Sequence, residues 1–175
     1  MKKIDSIYDA VDEFGLITSF EARRLGVSNA EMVQFSRRGK LARVARGVYQ
    51  MPVWPFQSSL PFAIAVKSVG VDAYLYGESV IALLGLVPTD PTKMWVASTS
   101  RVRRQVGTGI QIVDRKPLPE RTCYDGVPAQ PIREAVVTAV ATLGRERALQ
   151  AALVAQEQGY LSKDEAASLK QEIGE

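Results

Sequence analysis

The side chains that commonly do chemistry are scarce in these 175 residues. There is no histidine, and Cys123 is the single cysteine. Lack of histidine removes the Ser–His and Cys–His nucleophile arrangements and every His-containing zinc site. One cysteine leaves neither an intrachain disulfide nor a Cys-rich metal site, and Cys123 reads as an inert thiol. What remains is Asp114-Arg115-Lys116, which has the D-x-K spacing of a metal-dependent nuclease and follows a strand candidate. Its carboxylates would hold a divalent ion, and the lysine would assist the attacking water. That chemistry needs a second acid on a neighbouring strand. Asp72 and Glu78 are poor offerings, the latter reading as an acid at a helix start. The expectation is therefore a protein that is not an enzyme, with no catalytic residues, no metal site and no cofactor.

Arginine and lysine offer a different chemistry. The net charge is only +3, but residues 18–51 hold Arg23, Arg24, Arg37, Arg38, Lys40, Arg43 and Arg46 against Glu21 and Glu31. Cations gathered in this way neutralise phosphates. A second cluster, Arg101, Arg103 and Arg104, lies in the basic, turn-rich stretch 98–109. It reads either as a solvated loop between strands or as a contact to nucleic acid or an acidic partner.

The elements that would position these groups can be read from spacing and caps. Ile4, Ile7, Tyr8, Val11 and Phe14 recur at helical spacing, predicting an amphipathic helix that ends near Gly15. Thr18 with Glu21 and Ser28 with Glu31 are capping boxes, predicting helices to about Leu25 and Arg38 with a glycine turn at Gly26 between them. Such a pair is a helix-turn-helix. On the second of its helices Met32, Phe35 and Ser36 face the core. Ser28, Asn29, Ala30, Val33 and Gln34 occupy the N-terminal and outer positions that read base edges in a major groove. Arg37 and Arg38 are placed to reach phosphates. Residues 40–44 and 48–51 predict a hairpin turning at Ala45-Arg46-Gly47 and carrying Lys40, Arg43 and Arg46. Its apolar alternation is imperfect and leaves the register open.

Beyond Pro52 the Pro- and Ser-containing residues 53–60 read as a linker, with Trp54 and Phe56 expected to dock. Helices are predicted over 60–70 and 77–88, the latter stopped by Gly85 and Pro88, with a short link or strand over 72–76, strands at 94–97 and 110–113, and an Asp125-Gly126 hairpin over 123–129. Three more helices follow, at 131–143, 145–158 and from a Ser162/Glu165 capping box to about Ile173. No run approaches the roughly 18 apolar residues of a membrane span. The acidic N-terminal stretch does not fit a signal peptide, so a cytoplasmic location is expected.

Residues 15–51 resemble the N-terminal domain of the AbiEi antitoxin family. Gly15-Leu16-Ile17-Thr18, Glu21-Ala22, Leu25-Gly26-Val27-Ser28, Arg37-Arg38-Gly39-Lys40-Leu41 and Ala45-Arg46-Gly47-Val48-Tyr49 carry the likeness. Ser79, Leu83, Gly85-Leu86, Arg103-Arg104 and Asp125-Gly126-Val127-Pro128 extend it more thinly. The resemblance implies an antitoxin that represses its own operon by binding inverted repeats in double-stranded promoter DNA. It also implies a toxin of the nucleotidyltransferase class encoded alongside. The expected fold is α+β: a winged helix-turn-helix over 1–52, a linker over 53–60, and over 61–175 a small mixed α/β antitoxin domain with a helical C-terminus. Two other readings stand beside it, a nuclease-like domain fused to a DNA-binding module and a toxin-sequestering interaction protein.

Overall fold

The computed structural model of the chain describes residues 2–174; Met1 and Glu175, the outer bounds of the two expected domains, lie outside them. Helix α1 (Lys3–Ala10) ends well before Gly15. The cause is Asp12, whose Oδ1 accepts the amides of Phe14 and Leu16, each at 2.9 Å. An aspartate that offers its own acceptor to nearby amides favours a turn over continued helix. Strand β1 (Leu16–Thr18) follows at once.

Both central capping boxes form. Thr18 Oγ1 accepts the Glu21 amide while Glu21 accepts that of Thr18, starting α2 (Ser19–Arg24). Ser28 and Glu31 repeat the exchange at α3 (Asn29–Arg37). Between the helices Val27 N–H bonds to Ala22 O and Gly26 N–H to Arg23 O, the Schellman pattern. Gly26 has φ +80°, which a side chain would resist, and this glycine sets the angle at which α3 leaves α2.

Strands β2 (Ala42–Ala45) and β3 (Val48–Gln50) form the expected hairpin, and the sheet order is β1-β3-β2, all antiparallel. The irregular alternation has a physical source. Arg43 lies opposite Tyr49 and Ala45 opposite Val48, so Val44 is an extra residue, a β-bulge. Val44 and Ala45 can therefore both rest on apolar neighbours although they are consecutive. Ile7, Ile17, Ala22, Val27, Met32, Leu41 and Tyr49 form the core of this N-terminal unit.

Residues 51–59 cross to the second unit as a strap. Trp54 Nε1 and Gln57 Nε2 both donate to Glu13 O, and the indole lies flat against Gly15, where no Cβ would fit. Trp54 thus docks as expected, whereas Phe56 is 90% exposed and does not.

The second unit contains α4 (Leu60–Val69), β4 (Ala73–Leu75), α5 (Glu78–Leu84), β5 (Met94–Ser98), β6 (Ile110–Val113), β7 (Thr122–Tyr124) and β8 (Val127–Ala129). Helices α6 (Ile132–Leu143), α7 (Arg145–Glu157) and α8 (Lys163–Gly174) complete it. Its five strands run in the order β6-β5-β4-β8-β7, with β5/β6 and β4/β8 parallel and the other pairs antiparallel. The described residues make a mixed α+β chain of eight helices and two sheets.

The two units share a core. Helix α4 lies between the sheets and touches strands of both. Phe14, Leu16 and Val48, from the first unit, belong to the same buried cluster as Val66, Leu75, Val96 and Val127 of the second. Lys67 of α4 adds ion pairs to Asp12 at 3.2 Å and Glu21 at 3.6 Å.

Candidate nucleic-acid interface

A cleft of about 930 Å³ separates the two units on one side of α4. It is lined from α2 by Arg23, from α3 by Asn29 and Val33, and from the hairpin by Arg43 and Arg46. The loop after β5 faces it with Arg101, Arg103 and Arg104. The fold thus brings together two basic clusters that are more than fifty residues apart in sequence. The bulge at Val44 explains the hairpin's part: with Val44 and Ala45 turned onto the second unit, Arg43 and Arg46 both remain on the cleft side.

The electrostatics of the cleft are lopsided. None of its six arginines has a carboxylate within salt-bridge distance among the described residues. Of the four acids that line it, Asp12 and Glu21 are held by Lys67, Asp72 accepts three hydroxyl donors, and Glu13 alone has no ion pair or hydroxyl donor among the described residues. Guanidiniums without a counter-charge in a partly enclosed site favour an anion with several phosphate-like groups.

The remaining expected DNA-contact residues do not line the cleft. Ser28, Ala30, Gln34, Arg37, Arg38 and Lys40 are all exposed on or beside α3. Ser28 has a second task, since its hydroxyl caps α3. Its partner Glu31 is held below the usual carboxylate range by the Lys3 ammonium 2.7 Å away and the Ser28 amide. Lys40 is fixed by its backbone, with its amide on Phe35 O and its carbonyl accepting the Tyr8 hydroxyl.

The basic loop is built rather than loose. Asp72 accepts Thr99 Oγ1 at 2.5 Å, Ser100 Oγ at 2.7 Å and Ser98 Oγ at 3.1 Å. Those hydroxyls, Thr99 first, hold its carboxyl below the ordinary aspartate value against the opposing effect of burial. Beyond them Asp114 Oδ2 accepts the Val102 amide, and Arg104 donates to Ser68 O. The Arg115 and Lys116 amides bond to Ser100 O and Ser98 O. The D-x-K residues therefore serve as the loop's second anchor, and no group of three metal-ligating side chains occurs among the described residues. Sequence reading weighed Asp72 only as a second metal-holding acid, because its hydroxyl partners lie 26 to 28 residues away. Only the β4–β5 register, Ala73 opposite Ser98, brings them together.

Asp72→Ala should free this loop, and tryptic cleavage after Arg101, Arg103 and Arg104 is expected to quicken several-fold at neutral pH. An unchanged digestion pattern would remove Asp72 from the account. The anchor depends on pH in a defined direction. Because the folded carboxyl titrates below its unfolded value, its contribution is present above the unfolded value. It is lost as pH falls through the folded one.

Cys123 is a free thiol pushed up by partial desolvation and the Glu13 charge, which disfavours the reactive thiolate. No helix among the described residues is long and apolar enough to cross a membrane. No curated protein matches the chain. Residues 7–52, which include α2, α3 and the hairpin, match the family described as transcriptional regulator, AbiEi antitoxin, the family that residues 15–51 resemble.

Proposed function

We propose that the chain is a DNA-binding antitoxin that represses its own promoter, and that residues 1–52 act as a winged helix-turn-helix. The observation that carries this reading is the cleft with its six arginines, none of them ion-paired among the described residues, beside the exposed face of α3. Helix α3 enters a major groove with Asn29, Ala30, Val33 and Gln34 toward base edges, as reading helices do. The wing places Arg43 and Arg46 on the flanking phosphates or minor groove, and Arg37, Arg38 and Lys40 meet the backbone beyond α3. Arg101, Arg103 and Arg104, fixed by Asp72 and Asp114, continue the basic surface from the second unit. Nothing in this scheme requires catalysis, a metal or a cofactor, and it fits a cytoplasmic protein.

Inverted repeats recruit two copies, since a two-fold operator mirrors two-fold protein placement. The second unit is the part that opposes a nucleotidyltransferase toxin encoded alongside, either by contact or by acting on the same target.

Footprinting on duplex DNA upstream of the chain's own gene tests the first half. Protection of an inverted repeat is expected, with log–log salt dependence steeper than about −4, as for five or more phosphate contacts. A shallow slope or uniform protection without a repeat overturns it. Expression with the neighbouring gene tests the second half: growth rescued by this chain supports an antitoxin, and unrelieved arrest refutes it.

A further inference from the structure

The two amide side chains on the outer face of α3 are not equivalent. Asn29 Oδ1 accepts Nη1 of Arg23 at 3.0 Å, a bond from α2 to the first residue of α3. Gln34 is exposed, and its side-chain amide has no hydrogen-bond partner among the described residues. An amide reads adenine by accepting from N6 and donating to N7 together, so both its ends must face the base edge. Gln34 is free to take that orientation.

Asn29 is not. Arginine carries donors only, so the contact fixes which way the amide points: oxygen toward Arg23, nitrogen away from it. Arg23 and Asn29 both line the cleft; with one lone pair of Asn29 Oδ1 taken up by Arg23, the outward N–H groups make the pair chiefly a donor surface. Arg23 has no carboxylate partner to draw it away. Among base edges in the major groove, an adjacent pair of acceptors belongs to guanine, through O6 and N7.

We propose that Arg23 and Asn29 act as one donor-rich unit that reads guanine, and that Gln34 reads adenine further along the same groove. Arg23 is then a specificity-determining residue although it lies on α2, outside the reading helix. The proposal rests on duplex DNA being the ligand of this site. It carries a consequence that phosphate contact does not: removing Arg23 frees the Asn29 amide to turn and bond adenine in bidentate fashion.

The test is selection from a randomised duplex DNA library with the full-length chain, its Arg23→Ala and Arg23→Lys variants, and Gln34→Ala. The wild-type chain is expected to enrich a motif with guanine at one position of each half-site and adenine at another. Arg23→Ala should lose roughly tenfold or more of the preference at the guanine position alone, moving it toward adenine. Arg23→Lys keeps the charge and hence the salt slope and, with donors but no planar fork, should lose only part of that preference. Gln34→Ala should relax only the adenine position. If Arg23→Ala weakens all duplexes equally and leaves the motif intact, Arg23 is a phosphate contact and the proposal is wrong. If the wild-type chain enriches no motif, sequence-specific DNA binding itself is wrong, and the pairing of Arg23 with Asn29 falls with it. Arg23 and Asn29 are both exposed, so circular dichroism of the variants should match the wild-type chain.

Discussion

A chain carrying Arg43→Ala and Arg46→Ala together is expected to bind its upstream DNA roughly 100-fold more weakly near 0.1 M salt. Each guanidinium lost from a phosphate removes a charge-assisted hydrogen bond worth about 1.5 kcal/mol or more. Each also removes one released counterion, so the log–log salt slope should become shallower by about 1.8 for the pair. Both side chains are exposed and unpaired, so thermal stability should hardly change. That separates lost contacts from lost fold. Arg147→Ala on α7, an exposed arginine that does not line the cleft, is the matched control and should leave both affinity and slope in place. Unaltered affinity in the double variant, measured by titration at several salt concentrations, would take the hairpin out of the interface.

Phe14→Ala is expected to have the largest effect on stability, about 3–5 kcal/mol. The ring is 1% exposed and belongs to the cluster that contains Leu75, Val96 and Val127 of the second unit. The loss should be shared by both units, which is the informative part. Trp54 reports on the strap and Trp95 on β5, so fluorescence and circular dichroism should trace one coincident denaturant transition, shifted as a whole. Two separated transitions, with only the earlier one moved by the substitution, would show that residues 1–52 and 61–175 fold independently. Excision of residues 1–52 is predicted to expose the apolar surface that Phe14, Leu16 and Val48 cover and to give a fragment prone to aggregate.

Local chemistry was largely legible in the sequence, because it is written within three or four residues. The Thr18/Glu21, Ser28/Glu31 and Ser162/Glu165 boxes start their helices where expected, and Asp125-Gly126 turns its hairpin. The early stop of α1 was not, since the helical spacing of Val11 and Phe14 continues past the point where Asp12 captures the backbone. Nonlocal pairing was out of reach. Nothing near Asp72 announces Thr99 and Ser100, and short strands such as β4 and β8 do not state whom they join or in which direction. The candidate site divides along the same line. The exposed face of α3 followed from periodicity and caps, and the hairpin's charges from composition. The meeting of both with Arg101, Arg103 and Arg104 depends on α4 and the shared core. Arg23 and Arg24 look alike in the sequence, two neighbouring arginines on a short helix, and only the contact to Asn29 distinguishes the first from the second.

The extra residue at Val44 makes the hairpin sensitive to phase. A strand has a two-residue rhythm, and one surplus position changes which side every later residue takes. Flattening the bulge, with Val44 taken into regular pairing, would keep every charge in the chain and send Arg43 and Arg46, three positions apart, toward opposite sides of the ribbon. The binding surface thus depends on a count as much as on a composition. Replacement of Val44 by another apolar residue keeps that phase and should be well tolerated.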